Sequence, residues 1–169
     1  MWNYVGKGRP DFAKNPGPGE ESVWDYPRPP ACVADNRIVE VIFDGNTIAK
    51  TSRAIRVIEM ASPPTFYIPR EDVKLEALVK KITGSYCEWK GGATYWDLAN
   101  PNLKNVAWSY QDPSPGFEVI ANYLSFYPGK LRCSVDGEAV RAQPGGFYGG
   151  WVTDEIVGPF KGEPGTSAW

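Results

Sequence analysis

Residues Gly84-Ser-Tyr-Cys-Glu-Trp-Lys-Gly-Gly-Ala-Thr-Tyr-Trp-Asp97 decide how this chain is read. Aromatic and β-branched residues suit the half-buried pleated surface of a strand, and paired glycines suit a tight turn. The run therefore reads as two short β segments about Lys90-Gly-Gly92, a hairpin from Cys87 to Trp96. It also gathers four aromatics, two acids, a lysine and a cysteine beside one turn. Such crowding of stacking surface and reactive groups is what a ligand pocket needs.

Moving outward, the same β pattern recurs. Arg37-Ile-Val-Glu-Val-Ile-Phe-Asp44 runs through Gly45-Asn46 into Thr47-Ile-Ala-Lys-Thr51, and Asp-Gly tolerates the positive φ angles of a type I′ turn. Leu131-Arg-Cys-Ser-Val135, Asp136-Gly137 and Glu138-Ala-Val-Arg141 repeat the signal. Ala54 to Met60, Val106 to Tyr110 and Val119 to Tyr127 add further strands. One helix is expected, from about Arg70 to Ile82. Leu75, Leu78, Val79 and Ile82 make a stripe at helical spacing, with acids in the first turn and lysines in the last. A single helix among so many strands gives a mainly-β single domain.

The chain has 18 glycines and 16 prolines among 169 residues, concentrated at its ends. Residues 1–31 hold Pro16-Gly-Pro-Gly19 and Pro27-Arg-Pro-Pro30, which exclude interior helix and central strand, so this segment is an extended arm. Its aromatics imply that the arm packs on the body. The β-body spans 32–142. Residues 143–169 form a Gly/Pro/aromatic strap, ordered across the body or across a partner subunit.

Charge and composition remove whole function classes. A net charge of −2 argues against a nucleic-acid or anionic-membrane surface, and no apolar run approaches the ~20 residues of a membrane span. The first residues lack the apolar core of a secretion signal, so a cytoplasmic location is expected. There is no histidine, hence no Ser-His-Asp or Cys-His pair and no imidazole ligand. Cys32, Cys87 and Cys133 are scattered, so no four-cysteine zinc site exists within one chain and neither metal nor cofactor is expected. Reduced thiols are the default in that compartment, with a Cys32–Cys133 disulfide left open.

Three regions carry candidate chemistry. Strand alternation puts Glu88 and Lys90 on one face, to bind a polar ligand or steer protons, and Cys87 and Trp89 on the other. Either Cys87 is a thiol activated by a neighbouring cation, or it is core beside a solvated Glu88–Lys90 pair. Tyr67 and Arg70 precede the expected helix, where unpaired N–H groups attract anions, although Glu71 and Asp72 already occupy that field. Arg28, rigid between prolines, either clamps an anion or salt-bridges its own body.

Four collinear pieces together resemble the family known as domain of unknown function 427. They are Glu21-Ser-Val-Trp-Asp-Tyr-Pro-Arg-Pro-Pro30, Pro63-Pro-Thr-Phe-Tyr-Ile-Pro-Arg-Glu-Asp-Val73, Cys87-Glu-Trp-Lys-Gly-Gly-Ala-Thr-Tyr-Trp96 and Val106-Ala-Trp-Ser-Tyr110. The resemblance implies a β-tent body like that of Mss4-like proteins, without their four-cysteine zinc. The family's cysteine-to-lysine-glycine motif falls on Cys87, Lys90 and Gly91, with Glu88-Trp89 standing where Pro-Tyr is frequent. Family members have carried a nucleotidyltransferase label; this chain lacks the paired acids that would hold Mg²⁺ after Gly84-Ser85.

The expectation drawn from residues and resemblance together is a module that binds a small polar or aromatic ligand. Tyr67, Trp89, Tyr95, Trp96 and Trp108 would stack on it, while Arg28, Arg70, Glu88 and Lys90 orient it. At least three of Cys87, Glu88, Lys90, Tyr67 and Tyr95 should line the deepest pocket. The rivals are a histidine-free enzyme using Cys87 or Lys90, with Glu88 as proton carrier, and a structural module that self-associates as a homodimer.

Overall fold

Asp44 and Gly45 lie at φ 48° and 76°, and Asp136 and Gly137 at 46° and 81°. These left-handed pairs close two-residue hairpins of the twist that strands require. A computed structural model describes all 169 residues, Met1–Trp169. Its strands, in chain order, begin with β1 (Glu21–Ser22), β2 (Ala31–Asp35), β3 (Val39–Phe43), β4 (Asn46–Thr51), β5 (Ala54–Glu59), β6 (Ser62–Tyr67) and β7 (Leu78–Cys87). They continue as β8 (Gly91–Leu98), β9 (Leu103–Tyr110), β10 (Leu124–Phe126), β11 (Arg132–Val135), β12 (Glu138–Ala139), β13 (Arg141–Ala142), β14 (Trp151–Val152) and β15 (Ile156–Val157). The protein is mainly β.

Three larger sheets are present, β12-β11-β3-β4, β2-β5-β6 and β10-β9-β8-β7, all antiparallel. An Ile68–Leu124 bridge joins the last two. The main core, which includes Val39, Val41, Phe66, Ile68, Trp96, Leu98, Leu124, Phe126 and Trp151, fills the space among them. Cys133 is buried there and Cys32 packs on a separate cluster; both are free thiols.

The expected helix over 70–82 does not form. Arg70–Asp72 and Leu75–Ala77 are single 3₁₀ turns, and from Leu78 the chain is strand, paired Leu78 to Leu98 and Lys80 to Trp96. Three β-branched residues, Val79, Ile82 and Thr83, lose side-chain freedom in a helix and suit a strand, and the β8 edge supplies the backbone partners. The expected stripe is consequently split: Leu75 and Leu78 pack on the main core, while Val79 and Ile82 are exposed. Asp72 serves no helix dipole; its carboxylate accepts from the Thr51 hydroxyl at 2.7 Å and Arg53 at 3.1 Å. The strand expected over Val119–Tyr127 is likewise shortened to β10, because a 3₁₀ turn occupies Glu118–Ile120 and Asn122 adopts φ 63°.

Both termini pack on the body and on each other. β1 pairs in parallel with β15. Trp24 is buried, donates its indole N–H to Pro159 O at 3.0 Å, and is ringed by Tyr4, Phe12 and Trp169 at 5.1–5.3 Å. No helix is long and apolar enough to cross a membrane.

An ion network ties these layers together. Asp35 accepts from Arg37 at 2.7 Å and faces Arg56 at 3.3 Å; Arg37 also reaches Glu155, and Arg56 reaches Glu21. Burial pushes the Asp35 carboxyl up, but the Arg37 hydrogen bonds outweigh it and hold the group below 3.8. Glu21 is similarly held below 4.5, burial being outweighed by Arg56 and Tyr26. Carboxylates depressed in the folded state stabilise it above the unfolded pKa, about 4, and lose that contribution as pH falls through the folded values. The urea midpoint should therefore hold steady from neutral pH to about 5 and fall progressively below about 4. Asp35→Asn should lower the neutral midpoint and flatten the acid limb. A wild-type midpoint that stays level down to pH about 3 would contradict this.

Candidate functional site

Period-two alternation on adjacent strands builds the site. Ala93 pairs with Tyr110 and Tyr95 with Trp108, so these four side chains share one face of the β8–β9 ladder. The next pair along, Trp96 opposite Ala107, points the other way into the main core. There Trp96 donates its indole N–H to Ser109 Oγ at 2.9 Å. On β6 the same rule sends Phe66 to the core and Thr65 and Tyr67 to the site, and Val57 on β5 lies opposite Thr65. The two faces meet across a cavity of about 430 Å³.

The turn that closes β7–β8 supplies the polar groups. β7 ends at Cys87 and β8 begins at Gly91, so Glu88, Trp89 and Lys90 form the turn itself rather than continuing the strand. Gly91 takes φ 97°, which a side chain would resist. Because alternation stops at Cys87, the turn carries Glu88, Trp89 and Lys90 to the same cavity as Cys87. The Lys90 carbonyl accepts from the Ser114 N–H at 2.9 Å, which fixes the turn against the next loop.

Lys90 is the central group. Its ammonium stands 5.8 Å from the centre of the Tyr110 ring, with no carboxylate at ion-pair distance; in particular it makes no pair with Glu88. Burial disfavours its charge, but the neighbouring Tyr67, Cys87 and Glu59 more than offset this, and the pKa lies above its ordinary value. The phenols of Tyr67, Tyr110 and Tyr127 are all pushed up, in each case chiefly by burial, and stay protonated far above neutral pH. Tyr67 accepts the Trp108 indole N–H at 3.0 Å, and Tyr95 shares a 2.8 Å hydrogen bond with Ser85.

Terminal segments roof the cavity. Gly149 lies so close to Trp108 that an added Cβ would sit 2.2 Å from its ring. Trp2 is held between two cations, with the Arg28 guanidinium at 4.4 Å and the Lys161 ammonium at 4.0 Å from its ring. Burial pushes the Lys161 pKa down, and Arg28 adds to this. Buried Gln143 clamps the strap, donating to Lys161 O at 2.7 Å and accepting from Gly150 N at 3.0 Å.

Of the residues singled out in the sequence, Cys87, Glu88, Lys90, Tyr67, Trp89, Tyr95 and Trp108 line this one cavity. Three do not. Trp96 is on the opposite face for the reason given. Arg70 is exposed and lies 5.9 Å from the Trp96 ring; without a helix after it, no helical N–H groups gather there. Arg28 donates to the carbonyls of Tyr4 and Met60, each at 2.9 Å, and faces Glu59 at 3.5 Å, so it supports the wall behind the cavity. Sequence reading missed Tyr110, which follows from Trp108 by period two once β9 is placed. It also missed Trp2, Glu59, Tyr127, Tyr148 and Lys161, which reach the site only through tertiary packing.

No curated protein matches the chain. A family does: the profile described as Domain of unknown function (DUF427) matches residues 31–140, a span that carries β2 to β12 and the hairpin at the heart of the cavity. By that match over more than half its length, the chain belongs to the DUF427 family.

Proposed function

We propose that the protein binds a small polar or aromatic ligand in the cavity beside the Cys87–Trp96 hairpin. One observation carries this reading: an aromatic-walled space of about 430 Å³ ends on a lysine that no carboxylate pairs. That volume falls within the ~300–1,000 Å³ of ordinary small-molecule sites, and mostly apolar walls with a few convergent polar groups are their usual composition. Screening mono- and bicyclic aromatic fragments by tryptophan fluorescence tests it directly, since Trp2, Trp89 and Trp108 line the space. Lys90→Ala should weaken bound fragments by about tenfold or more. It should leave the fold intact at a cost of about 1 kcal/mol, the centre of the range for single substitutions, because it removes no ion pair. Outright unfolding of that variant would make Lys90 a structural group and move the ligand site elsewhere.

Catalysis is favoured as a second reading by one feature: Cys87 neighbours both Lys90 and Tyr110. Rapid stoichiometric labelling of Cys87 alone would support a nucleophilic role, and uniform slow labelling would remove it. The β-tent architecture and a cytoplasmic location remain part of the proposal, the first supported by antiparallel sheets that meet without closing a barrel. Self-association as a homodimer draws support from the edge strand β7, which exposes Val79, Ile82 and Tyr86. A light-scattering mass decides it.

A further inference from the structure

We propose that the cavity takes a flat, conjugated organic monoanion, whose carboxylate or phenolate oxygen sits against the Lys90 ammonium and the Trp89 indole N–H. The inference rests on the ligand-binding reading and names the class of ligand. Its first support is the imbalance of polar groups. Trp89 Nε1 is buried with no hydrogen-bond acceptor, a state that proteins rarely leave unmet. Lys90 is an ammonium with no carboxylate at ion-pair distance in a partly desolvated space, with the Tyr110 ring 5.8 Å away and Tyr67, Cys87 and Glu59 as its further neighbours. Of the two carboxylates in the lining, Glu59 is held by Arg28 at 3.5 Å, and Glu88 is exposed and makes no pair with Lys90. Trp89 and Lys90 thus bring two neighbouring donors without an acceptor or counterion to the cavity lining, and a negatively charged acceptor complements them.

The remaining choices follow from charge and shape. Aromatic walls alone would also suit a quaternary ammonium. Lys90 and Lys161 both line this cavity, however, and Lys90 has no carboxylate at ion-pair distance, so a second cation beside it would be repelled. A phosphate would want a guanidinium fork or a nest of backbone N–H groups. Arg28 is already committed to two carbonyls and Glu59, and Lys161 to Trp169 O and the Trp2 ring. One free ammonium is left, which matches one negative charge. Tyr95 and Trp108, side by side on the sheet, offer the surface on which a flat ring stacks.

Three probes of equal shape separate the alternatives: 1-naphthoate, 1-naphthamide and 1-naphthylmethylammonium, titrated calorimetrically into the full chain at fixed ionic strength. Naphthoate should bind about tenfold or more tightly than the amide, and the ammonium weakest. Lys90→Met, which keeps the stem, should erase the preference for naphthoate over the amide, and Lys90→Arg should retain it. Naphthoate should also shift the indole N–H resonance that Trp89→Phe removes. Equal binding of naphthoate and amide, or tightest binding of the ammonium, would overturn the anion assignment while leaving the pocket intact. Should none of the three bind, both the assignment and the pocket reading fall. The ranking on the unmutated protein decides the matter even if a Lys90 variant does not fold.

Discussion

Trp151→Ala is expected to lower the free energy of unfolding by about 3–5 kcal/mol, the range for deleting a fully buried aromatic. Trp151 has 0% exposure, stacks on Phe66 at 4.9 Å, and donates its indole N–H to Phe126 O at 2.9 Å. Alanine would leave a large cavity inside the main core and an unpaired buried carbonyl, and the two penalties act together. The effect should reach the site. Trp151 belongs to β14, and just before it the strap lays Phe147, Tyr148 and Gly149 along the cavity. Chemical denaturation measures the loss, and hydrogen exchange over residues 143–169 should rise in the variant. A loss below about 1 kcal/mol, or free exchange of the strap in the wild type, would show that the strap does not anchor here.

How far the sequence reads depends on the range of the interaction that decides each element. Two hairpins were legible because Asp44-Gly45 and Asp136-Gly137 are local instructions, satisfied within four residues of chain. The segment after Pro69 was misread because its apolar stripe is equally compatible with a strand whose partner, β8, begins thirteen residues beyond Leu78. Periodicity alone cannot weigh that pairing. The site divides in the same way. The hairpin was legible, but its turn was read at Lys90-Gly-Gly92. It lies at Glu88–Lys90 with Gly91 opening β8, so the expected strand alternation of Glu88 and Lys90 against Trp89 does not hold. Tyr95 and Trp96 looked alike in sequence, and only the register against β9 sends one to the cavity and the other to the core. Trp2 and Lys161 carry no local signal at all. They meet across nearly the whole chain because buried cations and an aromatic ring satisfy one another there.

Arg28→Met should be the second large effect, again about 3–5 kcal/mol, because removing one partner of a buried ion pair strands the other. The Arg28 side chain is 3% exposed, and its guanidinium meets four groups: the carbonyls of Tyr4 and Met60, the Glu59 carboxylate and the face of Trp2. Methionine fills the stem volume, so the loss reports the charge and its hydrogen bonds rather than a cavity. Glu59 would then be the exposed consequence, a half-buried carboxylate without its cation. Arg28→Met combined with Glu59→Gln should accordingly recover part of the loss, on the order of 1 kcal/mol or more. The same variant should free Trp2, which would keep only Lys161 on its ring, and the segment Met1–Tyr4 should become open to aminopeptidase. Strict additivity of the two substitutions would mean that Arg28 acts only through the backbone carbonyls. A loss under about 1 kcal/mol would mean that the wall behind the cavity is held by something other than this residue.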